Sequence, residues 1–246
     1  MADTPPLDPY KNEAAAFRAG VWDATGLPAL VLLASMTGFG TLARESGLPW
    51  IIAVLSSITV WALPGQVVMA ELYAAGAPLL AIAVAVAGAN ARFLPMTVSL
   101  LPQFQAVRTG WRYLLAQFIS VNTWALTMRR GPSLPPEQRA PYFSGVAVVC
   151  MGSGTIGTAL GFVLAGALPR TVTLGLVFLN PVYFALLFAG VRHRAGVLAL
   201  LIGAVLGPAL HLVWPRWGLP VTGIVAGTLA VMIDRALDRR RERRRG

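Results

Sequence analysis

The chain reads as an all-α polytopic membrane protein, with about eight transmembrane helices in two repeat halves and some helices broken in mid-membrane. Three observations predict this. Hydrophobic residues make up 56% of the 246 residues and charged residues only 12%, against about 25% charged in an average soluble protein; mean hydropathy is +0.66. A soluble globule of this size cannot hide so much apolar surface, so the excess must face another apolar medium. From Leu27 onward, apolar blocks alternate with short polar or Pro/Gly breaks, at about 27–44, 50–75, 78–101, 111–128, 142–168, 170–190, 195–214 and 217–234. At about 1.5 Å per residue each can cross a hydrocarbon core about 30 Å thick. The short alternating pattern of barrel strands is missing, and lipid-exposed backbone must satisfy its own hydrogen bonds, so the blocks are helices.

Residues 1–26 are mixed-charge and Pro-containing, with no basic region leading into an apolar one, and so do not read as a signal peptide. Phe17, Val21 and Trp22 stand at helical spacing, which allows a short interfacial helix on the cytoplasmic side or a partly ordered tail. Residues 27–234 form the transmembrane domain, with halves at about 27–128 and 142–234, and residues 235–246 form a basic cytoplasmic tail. The net charge of +10 is nearly all arginine, and seven of the twenty basic residues lie from Arg235 to Arg245. Directly after an apolar span, such a run reads as an anchor against anionic headgroups and membrane lipid rather than as a nucleic-acid site. With eight spans, the side that holds both termini carries fourteen basic residues and the other five, leaving Arg92 inside a span. That asymmetry predicts both termini in the cytoplasm.

A short internal correspondence supports the two halves. Gly47-Leu48-Pro49 precedes a span containing Pro64, then Ala75-Gly76, then Gly88 with Arg92 four residues on. Ala167-Leu168-Pro169 precedes a span containing Asn180-Pro181, then Ala189-Gly190, then Gly207 with His211 four residues on. Duplicated halves are common in secondary transporters. Four spans of offset make the repeats parallel; a re-entrant block would invert them.

The chemistry concentrates where spans are interrupted. A mid-span proline removes an amide donor and frees backbone groups at membrane depth, so Pro64-Gly65-Gln66 and Asn180-Pro181, at matching positions, mark a central site or two structural kinks. Amides at the start of a half-helix suit a carboxylate, and freed carbonyls suit an ammonium, so a zwitterionic amino acid would meet both. Gln66 would lie in the first turn of such a half-helix. Ser56, Ser57 and Thr59 upstream contact substrate or back-bond to their own helix. Glu71 is a coupling candidate for a proton or ammonium, or snorkels to the surface. Asn90-Ala91-Arg92 interrupts the third span, and Arg92 must find a carboxylate, a cavity or the interface. Asn122 and His211 are lesser candidates, better suited to helix–helix hydrogen bonds. Gly38-Phe39-Gly40, Gly152-Ser153-Gly154, Gly157 and Gly161 are small-residue packing faces. A single cysteine, Cys150, and two histidines exclude a disulfide framework and a cysteine-bound metal, so no metal or cofactor is expected. ATPase, hydrolase and metalloprotease motifs are missing, and the chain is not expected to be an enzyme.

The order of Gly38-Phe39-Gly40, the stretch from Ser57 to Gln66, Ala75-Gly76-Ala77-Pro78 and Asn90-Ala91-Arg92 followed by Ser99-Leu100 resembles the AzlC-type large subunit of branched-chain amino acid exporters. The similarity runs along nearly the whole chain in span order, with its distinctive motifs at residues 38–101. The resemblance implies a multi-pass protein of the bacterial cytoplasmic (inner) membrane, paired with a small hydrophobic AzlD-type subunit and exporting branched-chain amino acids as a secondary transporter. It carries over Gln66, Asn90 and Arg92 as motif positions. Many members have an Asp-Glu pair in the fourth span where this chain has Asn122-Thr123, which bears on the coupling ion. The expectation is alternating-access export of a small neutral amino acid. Its substrate would touch Ser57, Pro64, Gly65, Gln66, Asn90, Arg92 and Asn180. The alternatives are a channel for small polar solutes and a permease component driven by a separate ATPase.

Overall fold

The computed structural model describes residues 10–167, 169–189, 194–213 and 218–242, and every regular element among them is helical. Helix α1 (Glu13–Ala24) opens on Asn12, whose side chain accepts from the Ala15 amide at 2.8 Å, with Glu13 in the first turn where the helix dipole favours an acid. Its buried face is Ala16, Gly20 and Ala24, one small residue per turn. That face lies against α9 (Pro136–Leu164) so closely that a methyl at Gly20 would overlap the Tyr142 carbonyl, and one at Gly145 the Phe17 carbonyl. Tyr142 Oη donates to Asp23 Oδ2 at 2.6 Å, and the Tyr10 backbone exchanges two hydrogen bonds with the Gln138 side chain. Of the two sequence readings for this segment, the structure has a helix, ordered by backbone contact with α9.

Helix α2 (Leu27–Glu45) crosses α9 through the expected glycine faces. Methyls at Gly40, Gly157 and Gly161 would overlap the carbonyls of Thr158, Leu33 and Thr37, and Thr41 Oγ1 donates across the crossing to the Gly161 carbonyl at 3.1 Å. Small side chains let the two backbones touch, which is how helices associate where lipid removes the hydrophobic incentive. The C-termini of α2 and of α4 (Leu63–Ala74) close in the same way. The Leu48 and Gly47 amides bond back to Ala43 and Arg44, and the Ala77 and Gly76 amides to Leu72 and Tyr73, with both glycines at positive φ (75° and 69°). These are Schellman caps, each followed by a proline that ends the turn and starts the next helix.

The second apolar block is two helices, α3 (Trp50–Thr59) and α4. The third is α5 (Leu79–Asn90), a 3₁₀ turn at Ala91–Phe93, α6 (Leu94–Leu100) and a second 3₁₀ turn at Leu101–Phe104. The fourth is α7 (Thr109–Ala116) and α8 (Val121–Arg130). Then come α9, α10 (Arg170–Ala189), α11 (Arg194–Val213) and α12 (Gly218–Glu242). Leu27–Glu45, Leu79–Phe104 and Pro136–Leu164 are each long and apolar enough to cross a membrane. The basic tail up to Glu242 continues α12.

The expected break at Asn180-Pro181 is not there: α10 runs as one helix from Arg170 to Ala189. A proline deep in a membrane helix costs one backbone bond, and the helix carries on when nothing else draws the chain aside. The chain divides into two compact units, one ending at Tyr183 and the other starting at Phe184. In the first, α9 is the central element, packed by α1, α2, α3 and α8. In the second, α11 and α12 lie together, with Gly203 against Ala226 and Gly207 against Thr222.

Candidate functional site

The second span is interrupted at Val60–Ala62. Both the Val60 and Trp61 amides fold back on the Ser56 carbonyl, at 2.9 and 3.2 Å, and Trp61 takes φ 47°, the one positive value at a non-glycine among the described residues. A tryptophan in the left-handed region is strained. It is held there by packing: the residue is 4% exposed and its ring lies against Gly154 of α9. Pro64 occupies the first turn of α4, where a missing amide proton costs nothing, and Ala62 gives the helix start no side-chain cap.

Two further interruptions adjoin this one. Asn90, which ends α5 at the 3₁₀ turn, places its side-chain amide on Gly65, where a methyl would overlap it. The fourth span breaks between Ala116 and Val121. There Gln117 donates through Nε2 to the Thr59 carbonyl at 2.6 Å, satisfying a group that the first break sets free. Ser120 then caps α8 reciprocally with Thr123.

At the start of α4 the Gln66 side chain is fully buried, and its surroundings fix how the amide lies. Ser56 Oγ spends its proton on the Ala53 carbonyl at 2.7 Å, and Thr158 Oγ1 of α9 spends its proton on the Gly154 carbonyl at 3.1 Å. Ser57 Oγ is 2.7 Å from Thr158 Oγ1 and 3.5 Å from the Ala53 carbonyl, and with Thr158 donating to Gly154 it donates to one of these. Both serine oxygens are left as acceptors, and Gln66 Nε2 donates to them at 3.0 and 3.1 Å. Oε1 consequently points away from the network, and it is buried with no hydrogen-bond partner; Asn90 Oδ1 and Trp61 Nε1 are buried and unpartnered too. Leaving such atoms buried without a partner costs free energy, and Gln103 Oε1, Asn122 Oδ1, Thr127 Oγ1, Thr155 Oγ1 and Thr173 Oγ1 are in the same state elsewhere among the described residues.

Of the residues expected from sequence, Ser57, Pro64, Gly65, Gln66 and Asn90 meet at the break. Arg92 is exposed, its guanidinium 5.2 Å from the ring of its neighbour Phe93, and it does not join the buried cluster. Glu71 is exposed in the last turn of α4. Asn180 lies within α10, and its side chain, like that of His211, is outside the described residues. Asn122 is buried, with Oδ1 unpartnered instead of bonded to a neighbouring helix. Sequence reading passed over Thr158, Trp61 and Gln117. Thr158 had a signal in its place among Gly154, Gly157 and Gly161; Gln117 had none.

Gln66, Ser57 and Thr158 are all 0% exposed, so the site is closed to solvent in this conformation. A cavity of about 420 Å³ lies elsewhere, between the start of α1, α7 and the start of α9, lined by Glu13, Val107, Trp111, Glu137 and Ser144.

No curated protein and no solved structure matches the chain. A family model described as AzlC protein matches residues 28–168, from α2 to the end of the α9–α10 connection and through every residue of the Gln66 cluster. That match covers more than half of the protein and its interrupted spans, and so the chain belongs to the AzlC family.

Proposed function

We propose that this protein is the large subunit of a secondary transporter that exports small neutral amino acids, branched-chain ones foremost, across the bacterial cytoplasmic membrane by alternating access. The AzlC family is one of transport proteins rather than enzymes, and the apolar helices make this a membrane protein. A small AzlD-type subunit completes the complex. Both termini are cytoplasmic on this reading, following the fourteen-to-five arginine and lysine asymmetry.

The observation that carries the reading is the unpartnered Gln66 Oε1 at an uncapped half-helix start, fully buried at a break in the span. Two acceptor oxygens, Gln66 Oε1 and Asn90 Oδ1, suit an ammonium, and the first-turn amides of α4 suit the carboxylate. Met36, Phe39, Leu63 and Val67, clustered on α2 and α4, offer apolar surface to an aliphatic tail. The roles of the expected residues shift accordingly: Gln66 takes the ammonium where the sequence suggested the carboxylate. Ser57 holds Gln66 in register, and Pro64 and Gly65 shape the break. Asn180 and the coupling role of Glu71 rest on sequence alone. Access from either side requires the α3–α4 break to part from α9, which separates the Trp61 ring from Gly154 and Ser57 from Thr158.

The test is efflux of labelled valine, leucine, methionine and alanine from loaded proteoliposomes, with and without the small subunit. A carrier gives saturation and counterflow, with valine and leucine preferred. Flux that never saturates and cannot be driven uphill would replace this reading with a channel, and dependence on an added ATPase would replace it with a permease component.

A further inference from the structure

Helix α9, 29 residues and about 43 Å long, is a ruler for the elements packed around it in the unit that ends at Tyr183. At its C-terminal end, Arg44 in the last turn of α2 donates through Nη1 to the Phe162 and Val163 carbonyls, at 3.1 and 3.3 Å. Helix α3 sets out from that end and points toward the other, with Ser57 at Thr158 and Trp61 at Gly154. It has ten residues, about 15 Å, half the thickness of a hydrocarbon core. After the break the chain turns back. The Schellman turn at Ala75–Ala77 folds α4 against α5 so that Gly65 meets Asn90. The span that α5 opens ends with the Phe104 ring 5.1 Å from that of Phe143, seven residues into α9. The α4–α5 turn is at the opposite end of that span, and so at the C-terminal end of α9, where α3 began. Ala70 of α4 accordingly shares a buried cluster with Ala43 and Leu48.

The fourth apolar block does the same from the other end. Just before α7, Ala106 and Val107 share a cavity with Glu13, Glu137 and Ala140, at the N-terminal end of α9. At the end of α7, Gln117 reaches the Thr59 carbonyl at the inner end of α3, at 2.6 Å. Helix α8 then returns: Arg130 Nε donates to Tyr10 Oη at 3.3 Å, and Tyr10 is bonded to Gln138 in the first turn of α9. With eight and ten residues, α7 and α8 are about 12 and 15 Å long, and neither can cross a membrane. The three segments among the described residues that can cross, Leu27–Glu45, Leu79–Phe104 and Pro136–Leu164, are the ones that these contacts follow from one end of α9 to the other.

We infer that residues 50–74 and 109–130 are re-entrant hairpins that dip into the membrane from opposite faces and meet tip to tip, and that the meeting point of Thr59 and Gln117 is a gate between the Gln66 cluster and the face from which the second hairpin comes. Helix α2 with the first hairpin, and α5–α6 with the second, then form an inverted repeat, an architecture that holds its transport site where the repeats meet. Gln66 is bonded to Ser57, two residues before Thr59, so a ligand leaving it toward the N-terminal end of α9 has to pass the tip of the second hairpin. The charges agree independently. Of the ten basic residues in 10–183, seven lie toward the N-terminal end of α9, Arg44 and Arg170 lie toward the other, and Arg92 lies between. Continuous second and fourth spans would move Arg108 and Arg112 to the sparser side, whereas the hairpins leave them on the basic one, which is the cytoplasmic one. The hairpins are independent of the amino-acid reading above; the gate rests on it.

The experiment uses the full chain with Cys150→Ala and, one at a time, Lys11→Cys, Glu45→Cys, Ala75→Cys, Gln105→Cys and Glu137→Cys, all at exposed positions, labelled with a membrane-impermeant maleimide in vesicles of either orientation. Cysteines at 45 and 75 should label from one face, and those at 11, 105 and 137 from the other. Continuous spans would instead pair 45 with 105 and 75 with 137. That pattern, or 75 and 105 on one face, would overturn the hairpins. For the gate, Thr59→Cys with Gln117→Cys is bridged by a short bismaleimide whose linker holds a reducible disulfide. Valine counterflow in proteoliposomes should fall at least tenfold on bridging and return on reduction; full counterflow in the bridged protein would overturn the gate. Labelling is read without transport, so a failed counterflow assay would count against the function proposed above and leave the hairpins standing.

Discussion

Replacing Gln66 by methionine separates what this residue does for the fold from what it does for a ligand. The two side chains are close in volume, so little repacking is required. The change removes two donated hydrogen bonds, to Ser56 Oγ and Ser57 Oγ, worth about 0.5–1.5 kcal/mol each. It also removes the unpartnered Oε1, whose burial costs about 1–3 kcal/mol. Both serines keep acceptors for their own protons, on Ala53 and Thr158, so no new buried donor is orphaned. The two contributions nearly offset, and the thermal midpoint of the purified protein should stay within a few degrees of wild type. Transport should not be spared. A hydrogen bond from an ammonium to Oε1 is worth about 1.5–3 kcal/mol, which at 1.36 kcal/mol per decade raises the KM for valine counterflow about 10- to 150-fold. An unchanged KM in a protein that melts normally would refute the assignment of Oε1 to the substrate. A collapsed melting transition would show that the network serves the fold first.

Three further outcomes follow from the packing. Gly161→Ala drives a methyl into the Thr37 carbonyl and should destabilise the α2–α9 contact by about 1–3 kcal/mol; Gly152→Ala meets nothing within 4 Å and should be neutral or stabilising by up to about 1 kcal/mol, both read by thermal melting in detergent. Gln117→Leu removes the donor to the Thr59 carbonyl, and faster amide exchange confined to residues 59–66, by about fivefold or more for a loss of about 1 kcal/mol, is the expected signature. Tyr142→Phe deletes the bond to Asp23, which holds α1 to α9. Limited proteolysis between residues 10 and 25 should accelerate about fivefold or more for a loss of about 1 kcal/mol, without a matching loss of α9 protection.

The break in the second span was legible because Pro64 stands within an apolar block, and the proline signal is local. The same signal at Asn180-Pro181 did not predict a break, and the difference lies outside the proline. In the second span the departure from helix occurs at Val60–Ala62, before Pro64, where Trp61 is pressed against Gly154 on a helix nearly a hundred residues away. Pro64 accepts the start of a new helix there without causing the break. Arg92 shows the same limit. Its spacing from Asn90 puts both in one motif, yet a 3₁₀ turn separates their directions, so that Asn90 meets Gly65 while Arg92 faces outward. Gln117 was invisible for want of any local pattern, and Thr158 was marked only as part of a glycine-rich packing face, since each matters through a partner 58 or 101 residues distant.

The amino-acid sequence by itself determined the medium, the helical class and the small-residue faces, because apolar excess, block length and glycine spacing are properties of short stretches that act through solvation and backbone geometry. The order of the spans and the two Schellman turns follow from the same local chemistry. Only the tertiary structure decided which interruptions meet, which amide oxygen is left without a partner, and which charged side chain is turned outward. Those outcomes depend on the relative placement of backbones far apart in the chain, and a hydrogen-bond network acquires its direction only when all of its members are in place.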